Sequence, residues 1–473
     1  MSRLILVSNR VVLGAAAPGG LVVSLLATMR AHRGLWFGWD GEICSLEVPP
    51  VAIGDCEGVT CATVPLPERL YERYYNGFAN GTLWPLFHDF LDGFRYDADD
   101  YAAYLEANKL FASRLAPLVK NEDLIWVHDY HLIPLAEKLR AQGLGNRIGY
   151  FLHAPFPPFE TLRALPTFEQ FVINMLAYDV LGFQTEISRQ HFLGAVRTIC
   201  GESAVTRENA LEVGGGSVRT HVLPVGIDVD TVSQEANEAA KSDVVKRLVQ
   251  SLQGRALILG VDRLDYSKGV IERFDAYGRF LETFPEDRSK VVLLQISPLS
   301  REKVAAYARI RAALEQTAGR INGRFADADW TPIRYLNRDY PHSTLMGLMR
   351  AATVCVVTAL QDGMNLVAKE FVGAQDLQNP GVLVLSNRTG AAQELTDALV
   401  VNPYDLSGVA QAISQALTMP LAERRVRHAQ LLAKIKENDI HRWHHGFVGL
   451  LQGAKQCDCA RRRETSLDVR VGT

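Results

Sequence analysis

The stretch Gln361-Asp362-Gly363-Met364-Asn365-Leu366-Val367-Ala368-Lys369-Glu370 follows an apolar run, Thr353 to Thr358, that reads as a buried strand. Asp362-Gly363 makes a turn, and Asn365 to Gln375 reads as a helix with an apolar face. A strand, a Gly turn and a helix start put unbonded N–H groups at the carboxyl edge of a parallel sheet, where they can bind phosphate. Asp362 and Glu370 would repel the phosphate itself and suit the hydroxyls of an attached sugar. The combination predicts a sugar nucleotide; a Gly turn with no ligand fits the same stretch taken alone.

A second loop, Asp262-Arg263-Leu264-Asp265-Tyr266-Ser267-Lys268-Gly269, ends the apolar run Ala256 to Val261 and opens a helix at Val270. Arg263 and Lys268 could neutralise a departing diphosphate, Arg as a fork and Lys as a point charge. The positive end of the helix would add to them. The plainer alternative is a loop cross-linked by Arg263–Asp265 and Asp262–Lys268 pairs. Neither a G-x-x-x-x-G-K-[ST] loop nor a full G-x-G-x-x-G fingerprint occurs.

His128-Asp129-Tyr130-His131 closes a strand, Asp123 to His128. Two His and one Asp so close could suggest a metal, but no further cluster has matching spacing. Asp129 at a sheet edge is better placed to accept a hydrogen bond from a substrate hydroxyl. His153 ends the next strand, where packing and ligand contact are equally good readings. Arg10, Arg301, Tyr75 and Trp84 stand alone, and the two aromatics also suit ordinary packing. His441, His444 and His445 lie on a polar helix and are expected to be solvated.

The elements that must position these residues alternate strand with helix. Leu4 to Val7, Leu35 to Trp39, Asp123 to His128, Arg147 to Leu152 and Val180 to Phe183 read as strands of one half. Val205 to Ser217 is polar and Gly-rich, and is expected to be a surface excursion. The alternation restarts after Asp230 to Lys241 with strands at Ala256, Lys290, Ile333, Thr353 and Gly381. This order implies parallel sheets with helices on both faces, hence two doubly wound α/β domains binding ligand between their sheet edges.

The chain has 473 residues, enough for two large domains or about three smaller ones. It is 48% hydrophobic and 22% charged, with a net charge of -3, so no global basic field points to nucleic acid or an anionic membrane. No run of about 18 apolar residues occurs, and no signal peptide is read at the start. The seven cysteines are scattered without metal-ligand spacing and are read as reduced cytoplasmic thiols.

Taken together, these stretches resemble the trehalose-6-phosphate synthase family, UDP-forming retaining glycosyltransferases of the GT-B architecture. The resemblance covers nearly all of Met1 to Leu451. It rests on Leu6 to Arg10, Gly19-Gly20-Leu21, Gly34 to Trp39, Tyr74 to Phe78 and Leu83-Trp84-Pro85, then Trp126 to Leu132, Phe151-Leu152-His153 and Gly182 to Thr185. In the second half it rests on Asp262 to Gly269, Ala318 to Gly323, Asp362 to Glu370 and Asn402 to Asp405.

The resemblance implies an acceptor domain over 1–232, a nucleotide-sugar domain over 233–438, and a helix over 439–455 crossing back to the first. Residues 456–473 are expected to be a disordered tail. It implies transfer of glucose from a nucleoside diphosphate glucose, UDP-glucose foremost, to glucose 6-phosphate. Arg10, Arg301 and Tyr75 would hold the acceptor phosphate, and Trp39, Trp84 and Asp129 the acceptor sugar. Gly19 and Gly20 would let a loop close over the donor, and His153 and Asp362 would hold its glucose. Arg263 and Lys268 would neutralise the diphosphate, and Leu366, Val367, Ala368, Lys369 and Glu370 would bind through backbone N–H, with Glu370 on the ribose. Tyr340, often Phe in the family, would contact the base. No cofactor or metal is implied; a homo-oligomer, dimer or tetramer, in the cytoplasm is. A relative using glycerol 3-phosphate and a catalytically silent sugar-phosphate-binding subunit are the alternatives.

Overall fold

Short apolar runs become the strands of two sheets in the computed structural model, which describes residues 2–11, 29, 34–56, 58–206, 210–213, 216–299 and 305–454. The first sheet comprises β1 (Leu4–Arg10), β2 (Leu35–Cys44), β3 (Ala52–Cys56), β4 (Val59–Pro67), β5 (Leu124–His128), β6 (Ile148–Leu152), β7 (Val180–Phe183), β8 (Ala210–Val213) and β9 (Gly216–Val222). Their order is β3-β4-β2-β1-β5-β6-β7-β9-β8. The inner pairs are parallel, and only the flanking pairs β3/β4 and β8/β9 are antiparallel.

The second sheet comprises β10 (Ala256–Val261), β11 (Val291–Ile296), β12 (Ile333–Leu336), β13 (Val354–Val357), β14 (Val382–Ser386) and β15 (Leu399–Val401), in the order β12-β11-β10-β13-β14-β15. Every pair is parallel. The central strands are buried from end to end, as sheets covered on both faces require.

The described residues form two units. One holds the chain up to Pro224 and again from Trp443; the other is Val225–Arg442. The boundary expected at 232/233 therefore moves to 224/225. Val229–Ala239 is one helix, capped by the Asp228 side chain on the Thr231 N–H, and it belongs whole to the second unit. The last helix is Ile440–Gly453. Its Phe447 stacks on Trp126 of β5 with ring centroids 4.5 Å apart. Room for that ring comes from Gly149 of β6, where an added Cβ would lie 2.6 Å from it. His444, expected in solvent, is buried against Trp126 here, because the helix turns its apolar stripe to the sheet; His441 and His445 are exposed.

Two further expectations change, and one segment has a winding of its own. Within the stretch read as a surface excursion, Ala210–Val213 and the start of Gly216–Val222 instead pair antiparallel as β8 and β9. The aromatic segments around Tyr75 form one π-helical stretch, Tyr71–Leu83, running into a short helix, Trp84–Phe87. Finally, Cys61 is disulfide-bonded, whereas Cys44, Cys200 and Cys355 are free. Residues 456–473 lie outside the described residues. Among the described residues no helix is long and apolar enough to cross a membrane.

Candidate active site

The chemistry-bearing side chains stand at the carboxyl ends of the strands, the edge where open parallel sheets bind ligands. In the first unit Arg10 ends β1 and pairs in register with Trp39 of β2. Its guanidinium carbon sits 5.5 Å from the centre of the Trp39 ring, a cation–π arrangement that fixes a charge at the sheet edge. Gly41, at φ +99, lies beneath the same guanidinium, 2.6 Å from where a Cβ would be.

From Trp39 a chain of ring contacts runs to the other expected acceptor residues. Tyr75 meets Trp39 edge-on at 5.3 Å and stacks at 6.0 Å on His131. His131 packs on Tyr130 at 4.0 Å, and Tyr130 lies 5.6 Å from Trp84. Asn80, not singled out in the sequence, ties the shelf together. Its amide donates to the Tyr75 carbonyl at 2.8 Å, and its Oδ1 accepts from the Tyr130 hydroxyl at 3.0 Å. The π-helical winding of Tyr71–Leu83 turns Tyr75 and Asn80 toward the shelf, as such distortions often do at functional sites.

Asp129 follows β5 with φ 71 and ψ 167, a strained conformation that points to function at a sheet edge. Its Oδ1 accepts long bonds from the N–H groups of His153 and Ala154, at 3.3 and 3.4 Å. His153 is held by both ring nitrogens. Nε2 lies 3.0 Å from His128 Nδ1, and Nδ1 lies 3.3 Å from the Gln184 amide nitrogen. With that amide donating, the His153 proton sits on Nε2 and is donated to His128. Burial pushes His153 down to about 3, and burial with His153 beside it holds His128 well below the ordinary histidine range. Both rings are therefore neutral hydrogen-bonding groups at ordinary pH. Among the described residues no group of three or more His, Cys, Asp or Glu is placed to hold a metal ion.

In the second unit the two loops read from the sequence lie side by side. The N–H of Leu360, after β13, donates to the Ser267 carbonyl, after β10, at 2.8 Å. Lys268 Nζ donates to Asp362 Oδ2 at 2.6 Å, and the same oxygen accepts from Asn365 Nδ2 at 3.1 Å. Arg263 is exposed on the first loop. The plainer pairing of Asp262 with Lys268 gives way to a buried partner. Arg273 reaches back from the helix Val270–Thr283 to Asp262 Oδ2 at 2.6 Å, and also meets Gln295 Oε1 at 2.7 Å and Thr358 Oγ1 at 3.1 Å. Asp265 accepts from the Ser267 N–H at 3.0 Å and the Tyr307 hydroxyl at 3.0 Å. These bonds fix the loop's base and free Lys268 to face Asp362.

Gly269 makes the turn possible. It has φ +59, and a Cβ there would lie 2.1 Å from the Thr358 carbonyl oxygen. Gly269→Ala is expected to lose about 1–2 kcal/mol to left-handed strain alone, with the collision added. Thermal unfolding and turnover of the variant check this: both should fall, because the clash displaces Lys268.

The helix Leu366–Ala374 begins at Asn365, whose side chain accepts from the Ala368 N–H at 3.0 Å. This cap corrects part of the expected anion site. The Ala368 N–H is already engaged, and those of Lys369 and Glu370 fall within the helical ladder, so Leu366 and Val367 hold the open donors. The Lys369 side chain points away into the core, donating to the Val225 carbonyl at 2.8 Å and to Glu394 at 2.9 Å. Burial lowers its ammonium, with Glu394 opposing. Glu370 faces His342, whose Nε2 is 3.4 Å from Oε1. Tyr340 lies after β12 with the Arg338 guanidinium 4.8 Å over its ring. Gly19, Gly20 and Arg301 lie outside the described residues.

His342 bridges two carboxylates, and its pH behaviour follows. Burial opposes the charge, but Glu370 and Glu235 together raise the ring from the ordinary 6.5 to about 9. A raised folded value stabilises fully below about 6.5 and is lost as pH climbs through about 9. The melting-temperature gap between the wild type and His342→Gln should therefore be widest at mildly acidic pH and close toward alkaline pH.

The chain matches the family model of Glycosyltransferase family 20 over residues 8–453. It is 45% identical over 480 residues to the trehalose-6-phosphate synthase of Enterobacter sp. (strain 638), covering 100% of this chain and 99% of that one. Among solved structures it resembles an alpha,alpha-trehalose-phosphate synthase (UDP-forming) from Burkholderia xenovorans in complex with glucose-6-phosphate, at TM-score 0.93 and 45% identity, over 96% of this chain and 100% of that one. A trehalose-6-phosphate enzyme from E. coli bound with UDP-2-fluoro glucose matches at TM-score 0.91 and 44% identity, with the same coverage.

Proposed function

Because the chain belongs to glycosyltransferase family 20, we propose that it transfers glucose from UDP-glucose to glucose 6-phosphate with retention, giving α,α-trehalose 6-phosphate and UDP. The observation that carries this reading is the Lys268–Asp362 pair, 2.6 Å apart, at the open start of the Leu366–Ala374 helix, where Asn365 also donates to Asp362. It puts a cation for the diphosphate and a carboxylate for the sugar hydroxyls side by side.

In the donor half, Arg263, Lys268 and the N–H groups of Leu366 and Val367 take the diphosphate. Asp362 takes a glucose hydroxyl, Glu370 the ribose, and Tyr340 the base. In the acceptor half, Arg10 and Tyr75 take the phosphate, with Arg301, while Trp39, Trp84 and Asp129 take the sugar. His153 meets the donor glucose by exchanging one of its two ring bonds.

Three carboxylates of the donor half are each held by a basic group: Asp262 by Arg273, Asp362 by Lys268 and Glu370 by His342. So held, Asp362 and Glu370 act as hydroxyl acceptors and Asp262 as the buried partner of Arg273, and none is the nucleophile or acid of a double displacement. Retention then comes from attack on the leaving-group face. The C1–O bond to the diphosphate breaks, the C1 hydroxyl oxygen of glucose 6-phosphate bonds to donor C1, and its proton passes to the leaving phosphate oxygen. Arg263 and Lys268 hold the charge that develops there, so the chain's part is positioning and electrostatics without a metal.

A cytoplasmic homo-oligomer, a dimer or tetramer, completes the reading, and light scattering of the purified protein tests the assembly. The reaction itself is tested by a panel of nucleotide glucoses against glucose 6-phosphate and glycerol 3-phosphate. UDP-glucose with glucose 6-phosphate should turn over fastest; a preference for another acceptor would overturn the assignment.

A further inference from the structure

We propose that His342 is a positioning residue for the donor: clamped between Glu235 and Glu370, it fixes the Glu370 carboxylate in the orientation that takes the ribose hydroxyls. The inference deepens the reading above and rests on Glu370 meeting the ribose.

His342 is the first residue of the helix His342–Ala351, after Pro341. A cation there opposes the positive helix end, so the position needs a specific reason to be charged. Two carboxylates supply it. Nδ1 lies 2.7 Å from Glu235 Oε2, on the helix Val229–Ala239, and Nε2 lies 3.4 Å from Glu370 Oε1, on the helix Leu366–Ala374. A ring facing a carboxylate at each nitrogen donates from both, which is the imidazolium form. Glu235 and Glu370 are the charged groups that set its state.

The arrangement is one-sided in purpose. The Glu235 side chain is 31% exposed and could be hydrated without help, whereas that of Glu370 is 7% exposed. A carboxylate buried to that degree needs a fixed donor to hold its charge and its rotamer. His342 engages Oε1 and is itself anchored from behind by Glu235. The carboxylate is thus oriented before the nucleotide arrives, and the ordering cost falls outside the binding step. Three helices meet in this contact, and none of the three side chains adjoins another in sequence.

The test is a split of kinetic constants in the full-length protein. His342→Asn removes the bridge; it should raise KM for UDP-glucose and Kd for UDP roughly tenfold, the worth of one hydrogen bond to a charged group. KM for glucose 6-phosphate and kcat should stay within about twofold of the wild type, which general damage to the fold would not leave untouched. His342→Gln keeps an N–H to offer Glu370 and should recover part of the loss; it also serves if the Asn variant fails to fold. Glu370→Gln is the control. If it raises the donor KM and both His342 variants leave that constant at the wild-type value, the positioning role is wrong while the ribose reading stands. If Glu370→Gln itself leaves the donor KM unchanged, the ribose reading is wrong and the inference goes with it. Donor and acceptor KM rising together in His342→Gln would mean a structural role only.

Discussion

Arg263→Ala and Lys268→Ala should each lower kcat by roughly 10²–10³-fold, the cost of removing one group that meets transition-state charge. Both cations lie on the loop after β10, which Asp265 and Gly269 hold in shape, so the charge is preorganised and no reorganisation is needed as the bond breaks. The two losses have different origins. Lys268 is paired with Asp362. Its removal also strands a carboxylate beside an incoming diphosphate, so UDP affinity should fall together with kcat. Arg263 is exposed, and its removal should act on turnover more than on folding. The double variant should lose less than the product of the two, because both act on one leaving group. Steady-state UDP release with UDP-glucose and glucose 6-phosphate measures this, and near-normal turnover in both single variants would remove the proposed role.

The largest effect on stability is expected at Arg273. Its side chain is 1% exposed and that of Asp262 3%, with Nη1 and Oδ2 2.6 Å apart. Removing one partner of a buried ion pair leaves an uncompensated charge and typically costs about 3–5 kcal/mol. Arg273→Met should therefore unfold the second unit well before the first. Hydrogen exchange can report this, through early loss of protection in β10 and β13 while β5 and β6 keep theirs. Adding Asp262→Asn should restore part of the stability, since the orphaned charge is then gone; a double variant no more stable than the single one would place the cost elsewhere. The same pair lies under the cation loop, so catalysis should fall with it.

The strand ends and their residues could be read from the chain because each is a local pattern. An apolar run followed by Asp, His or Gly marked β5, β6, β10 and β13, and the structure brings Asp129, His153, Lys268 and Asp362 to those ends. The Arg10–Trp39 contact joins two short runs far apart in sequence, yet both lay at run ends and were visible separately. What the chain concealed is pairing across long separations. Nothing local at His128 announces that its ring lies 3.0 Å from His153, nor at His342 that two glutamates flank it. Lys369 looked like part of a phosphate turn, but one turn into a helix its side chain faces the core, and Glu394 supplies the counter-charge. The π-helical winding around Tyr75 escaped for another reason: aromatic periodicity does not distinguish it from an ordinary helix. The β8/β9 hairpin was hidden by a polar, Gly-rich composition that reads as loop, since a flanking pair has no core to bury on both faces.

The proposed reaction is a retained glucosyl transfer from UDP-glucose to glucose 6-phosphate. Proton NMR of the product formed from UDP-glucose and glucose 6-phosphate tests it most directly. A single disaccharide phosphate with both anomeric centres in the α configuration, formed in step with UDP, is predicted. A β-configured linkage, free glucose released by water, or no disaccharide at all would contradict it.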